Sequence, residues 1–165
     1  MSITEMTKKE ENLQALHAAA ENDWVTFSYA KPDGVTAGKG MFALGKKDIV
    51  RGVVQVVKKH GGENNLHYHT GIASFWMVLK GRVRFYGPGD VVLGEFGPHE
   101  GMITPRFSRY WFENIGDEDL EILQVAAFAS EKLEKSGRTD VSAQKFQTGT
   151  AQHFSANAPV APAKA

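Results

Sequence analysis

The chain has 165 residues, 42% hydrophobic and 10% aromatic, which suits one globular domain around a single core. Its 19 Lys and Arg balance its 19 Asp and Glu, so no net field draws it to nucleic acid or to an anionic membrane surface. With no cysteine, disulfides, thiolate catalysis and Cys-type zinc sites are excluded. The polar start, Met1 to Asn12, has no apolar signal region, and no run approaches the ~20 apolar residues of a membrane helix. A soluble, cytoplasmic protein is expected.

Thr7-Lys8-Lys9-Glu10 reads as a capping box, and Leu13, Leu16 and Ala20 follow at helical spacing, so a helix is predicted over about 8–21. Residues 1–23 form this N-terminal extension. From Trp24 to Phe128 the pattern changes to short strands. They are predicted at 24–29, 41–44, 49–58, 65–70, 75–79, 82–86, 91–96, 101–104, 109–113 and 121–128. Pro-Asp-Gly, Gly-Gly, Lys-Gly, Pro-Gly-Asp and Gly-Asp-Glu separate them, residues that pre-set turns or supply positive φ. So many short strands between turns imply an all-β barrel or sandwich over 24–136. A short helix is expected over 131–135. The extension 137–165 becomes polar and then rich in Ala, Gln, Asn and Pro, and is read as mostly flexible, with His153 solvated.

The strongest chemical signal is His67-Tyr68-His69. Strand side chains alternate, so residues two apart lie on one side and can aim two imidazoles at one point. Gly61-Gly62 precedes the pair, and an apolar run, Phe75 to Leu79, ends at the Lys80-Gly81 turn.

That frame resembles the first sequence motif of the cupin superfamily: a glycine, His-x-His, a glutamate and a glycine at fixed spacing. Gly61, His67, His69 and Gly81 match, and Ser74 stands at the glutamate position. The second cupin motif lies along His99 to Leu123, where Pro105, Phe112, Asn114 and the Gly116-Asp117 turn match. His99 and Phe107 stand where glycines are usual, and Tyr110 where the third histidine would be. The resemblance spans roughly residues 40 to 128.

It implies a double-stranded β-helix (jelly-roll) barrel whose lumen receives His67, His69, Ser74, Trp76, Val78, Tyr110 and Phe112. A transition metal would be held by His67 and His69, with Tyr110 as third ligand or as general acid-base. Iron is expected first, with Cu, Mn, Ni or Zn as alternatives. A water, a substrate chelate, Glu63, Glu95 or Glu113 are the other ways to complete its shell. Trp76 and Phe112 would form an apolar wall, Ser74 would face the substrate, and Arg106 could pair with a substrate carboxylate. The implied function is a metal-dependent small-molecule enzyme, a dioxygenase or related lyase or isomerase acting on an oxygen-rich molecule. The alternative is a non-catalytic barrel that binds a ligand after losing its metal. A homodimer is expected from the family and from the apolar stripe of the helix.

Overall fold

A computed structural model of the chain describes residues 3–31, 33–141 and 151–155. Among these residues one α-helix, α1 (Ile3–Glu21), precedes eleven strands. They are β1 (Lys39–Lys47), β2 (Val50–Val57), β3 (His67–His69), β4 (Ile72–Lys80), β5 (Val83–Tyr86), β6 (Val92–Phe96), β7 (Gly101–Thr104), β8 (Trp111–Asn114), β9 (Leu120–Phe128), β10 (Arg138–Asp140) and β11 (Gln152–Ser155). A six-stranded sheet in the order β11-β1-β2-β9-β4-β7 faces a three-stranded sheet, β6-β5-β8, and the pair β10-β3. A bridge between His67 and Tyr110 ties β3 to the segment leading into β8. Among the described residues no helix is long and apolar enough to cross a membrane.

Alternation on the central strands explains the layering. On β2, β9 and β4, Val57, Leu120, Ile122, Trp76 and Val78 face inward and pack on Val83, Phe85, Tyr110 and Phe112 from the opposite wall. The intervening residues of the large sheet face outward. There Val54 and Val56 pack with Val35, Phe42 and Leu44 in a second cluster. The central strands thus carry apolar residues on both faces, as a sheet covered on both sides requires, with Gln55, Ser74 and Gln124 as buried polar exceptions on the inner one. Gly81 makes the turn out of β4 at φ +84°, and a Cβ there would lie 3.1 Å from Leu120 Cα and 3.2 Å from the Asp119 carbonyl oxygen.

His99 and Phe107 adopt φ of 69° and 66°. The left-handed turns that glycine ordinarily makes are kept here by residues that adopt them at a cost.

Four expectations are corrected. The helix begins at Ile3, so Thr7 lies inside it and does not cap it; Glu5 instead occupies the first turn, where the helix dipole favours an acid. Residues 24–29 join no sheet; they run along the outer face of the large one, with Val25, Phe27 and Tyr29 lining a cleft there. Residues 131–135 form a turn closed by Leu133 N–H donating to the Ser130 carbonyl, a segment too short to nucleate a helix. The C-terminal extension is not wholly unstructured. Arg138–Asp140 pairs with His67–His69, and Gln152–Ser155 pairs with Gly40–Ala43. The rest of that extension lies outside the described residues.

Candidate functional site

Between the sheets lies a cavity of about 300 Å³, small among ligand pockets. His67 and His69 contribute from β3, Tyr110 from the segment just before β8 and Trp76 from β4. The large sheet adds Lys39 and Met41 from β1, Arg51 and Gln55 from β2, and Gln124 from β9. Arg138 of β10 and His153 of β11 complete the rim. A larger cleft of about 400 Å³ lies on the outer face, among Val25, Phe27, Leu44, Val54 and Leu123, and carries no imidazole, acid or amide side chain.

His67 is 1% exposed. Its Nδ1 lies 2.7 Å from the Asn65 carbonyl oxygen. A carbonyl only accepts, so Nδ1 carries the proton and Nε2 keeps a free lone pair, the arrangement that orients a metal-ligating imidazole. Burial, with Arg138 nearby, pushes the His67 pKa down to about 3; the same causes push His69 to about 4. Both rings are therefore neutral at ordinary pH. The two ring centroids are 5.0 Å apart, and His67 and Tyr110 are 4.6 Å apart.

Tyr110 is 2% exposed, and burial raises its pKa to about 12. Its hydroxyl has no hydrogen-bond partner of good geometry. Thr104 and Trp76 lie beside it and ease ionisation, but Trp76 Nε1 donates to Thr104 Oγ1 at 3.2 Å and Thr104 Oγ1 donates to the Ser74 carbonyl oxygen. Among the described residues, His69 Nδ1, Arg51 Nε and Gln55 Oε1 are likewise buried without a partner of good geometry, the Ser136 backbone lying beside the His69 ring. All four of these orphaned atoms belong to residues lining this one cavity. Buried polar groups in native proteins nearly always have partners, so four exceptions in one place describe a site made for a ligand or for water.

The other expected residues separate into two groups. Ser74 is buried beneath the cavity, its Oγ accepting from Gln124 Nε2 at 2.9 Å. Phe112 is wholly buried in the core beside Trp76, with ring centroids 5.5 Å apart, and does not line the cavity. Arg106 is exposed, stacked over the ring of Phe107 at 5.7 Å and away from the cavity. None of the three acids considered as ligands lines it either. Glu63 accepts from the His60 and Gly62 amides at 2.7 and 3.2 Å, Glu95 pairs with Arg84, and Glu113 is bound by Tyr86.

Lys39, Arg51, Gln55, Gln124 and Arg138 were not anticipated. For two of them a signal existed. Arg51 and Gln55 are polar residues of one parity inside the otherwise apolar run Val50–Val57, so one face of that strand had to meet something polar. His153 is exposed, as expected, but stands at the rim because β11 joins β1, with Met41 opposite His153.

Two imidazoles and a phenol suit a transition metal at two or three positions. Among the described residues, however, no group of three His, Asp or Glu is placed to hold one. Among the described residues no carboxylate lines the cavity, whereas Lys39, Arg51 and Arg138 do. A metal here would need an anionic partner to offset that positive field.

No protein-family model and no curated protein sequence matches the chain. Solved structures do. An RmlC-like cupin protein from Desulfovibrio desulfuricans matches with a TM-score of 0.50 at 20% identity, over 61% of this chain and 94% of that one. A conserved double-stranded β-helix protein from Klebsiella pneumoniae gives 0.51 at 15% identity, over 68% and 84%. An oxalate oxidase in complex with the substrate analogue glycolate gives 0.50 at 18% identity, over 68% and 60%. At these identities the likeness is one of fold: the chain has the double-stranded β-helix barrel of these cupin structures, with its polar cavity between the sheets.

Proposed function

We propose that the protein is a small-molecule cupin whose lumen is the site of binding and reaction. The observation that carries this is the convergence on one cavity of four buried polar atoms without a partner of good geometry, on His69, Tyr110, Arg51 and Gln55. His67 and His69 would hold a transition metal, iron in first place, which when bound would supply Lewis-acid or oxygen-carrying chemistry to an oxygen-rich substrate. A dioxygenase, or a related lyase or isomerase, is the activity this supports. Tyr110 keeps its proton through the neutral range and can donate it to a substrate oxygen beside the histidines. Trp76 forms the apolar wall, while Ser74 positions the Gln124 amide.

The second reading, a binding barrel without a metal, is favoured by the cationic lining and the absence of an acid from it. Metal analysis of protein purified without a histidine tag separates the two. Near-stoichiometric metal that disappears in the His67→Ala/His69→Ala variant supports the enzyme. No metal in the wild type, even after incubation with Fe(II) or Mn(II), supports the binding barrel.

A further inference from the structure

We infer that the lumen selects a short dicarboxylate that carries a hydroxyl between its two carboxylates. This rests on the lumen being the ligand site, and it holds with or without a metal.

Among the described residues, neither Lys39 nor Arg51 has an acid within ion-pairing distance; Glu63 acts on Lys39 only from farther away. Arg138 differs, since it is already paired with Asp140 at 2.7 Å. Lys39 Nζ lies over the Phe112 ring at 5.3 Å and the Arg51 guanidinium over the Phe128 ring at 5.2 Å, so aromatic faces and not anions meet both charges, and two such cations facing one small cavity call for negative charge from the ligand.

Their placement sets how many charges. Lys39 stands opposite Val57 across the β1–β2 ladder, six positions along β2 from Arg51. At ~3.3 Å per residue the two backbones are roughly 20 Å apart along the strands. The two side chains thus enter the cavity from opposite ends, and a single carboxylate cannot meet both heads. A dicarboxylate can.

Between them on the same face of β2 lies Gln55. Its Nε2 donates to Gln124 Oε1 at 3.1 Å, and Gln124 Nε2 donates to Ser74 Oγ. That chain leaves Gln55 Oε1 as an acceptor without a donor. A carboxylate in that position would repel it, whereas a hydroxyl would satisfy it. The unpaired Arg51 Nε and the amine of Lys39 are the donors at either end.

The test uses the full chain and four probes measured by calorimetry at constant ionic strength: malate, succinate, lactate and butane-1,4-diol. The NMR signals of the His67 and His69 rings report whether a probe enters the lumen. Malate is expected to bind tightest and to shift both rings. Succinate, which lacks the hydroxyl, and lactate, which lacks the second carboxylate, should each bind about ten-fold more weakly or worse, and the diol not measurably. Lys39→Gln and Arg51→Gln should each weaken malate by about ten-fold or more, and the exposed Arg106→Gln should not. Butane-1,4-diol or lactate shifting the rings as strongly as malate would overturn the dicarboxylate class and leave the lumen reading standing. Malate binding unchanged in both cation variants would overturn the assigned residues. Failure of all four probes to bind or to move either ring would overturn the inference and count against the lumen reading as well.

Discussion

His67 spends its one donor on the Asn65 carbonyl, so its other nitrogen is kept free by a local bond and not by chance. Burial then sets the pH behaviour. The folded pKa values of His67 and His69, about 3 and 4, lie below the ordinary 6.5, so on acidification the unfolded chain takes up protons that the folded one refuses. Their contribution to stability is complete above about pH 6.5 and is lost as pH falls toward 4 and then 3. The melting temperature should therefore drop through that window, and His67→Gln should make the drop shallower. An identical pH slope in that variant would show that His67 is not held neutral. Phe107 gives a prediction of the opposite kind. At φ 66° and largely exposed, it adopts a turn that suits glycine, so Phe107→Gly should stabilise the protein by about 1 kcal/mol in urea unfolding. A loss of stability would mean that its side chain, or its contact with Arg106, matters more than the backbone.

The elements divide by how local their signal is. Strands β1 to β9 were legible because alternation and turn residues are written within a few positions of each other, and the His-x-His pair because period two is the shortest pattern a strand has. Lys39 and Arg138 were not, since no local pattern marks two cations a hundred residues apart as neighbours; only the closure of the barrel brings them together. β10 and β11 were missed for a related reason. Each is short and polar, and each forms by joining an existing edge. β11 is held by more than its ladder. Phe154 stacks on Phe42 with ring centroids 4.6 Å apart, and Gln152 Oε1 accepts from the Thr36 and Ala37 amides, each at 2.8 Å. Phe154→Ala should destabilise the protein by about 1–2 kcal/mol in urea, less than a fully buried Phe. No change would mean that β11 does not hold to the sheet in solution.

At the scale of the whole molecule, two surfaces remain apolar and open. Leu13 and Leu16 are 49% and 67% exposed on α1, and the outer cleft beside Val25 and Phe27 is uncovered. Large exposed apolar patches mark association surfaces, and we propose that these support a homodimer. Small-angle scattering should give twice the chain's mass; a monomer's mass across a wide concentration range would refute it. The interior presents the converse pattern. Buried polar atoms in native proteins nearly always have partners, and among the described residues four without one of good geometry line a single lumen. Tyr110→Phe tests that account most directly, because it keeps the ring and removes one orphaned oxygen. If the lumen exists for a ligand, the variant without ligand should be more stable than the wild type by about 1 kcal/mol in urea unfolding, while metal content or binding of an anionic ligand falls. A loss of stability of similar size, with metal and ligand binding unchanged, would make the hydroxyl part of the fold and contradict the account.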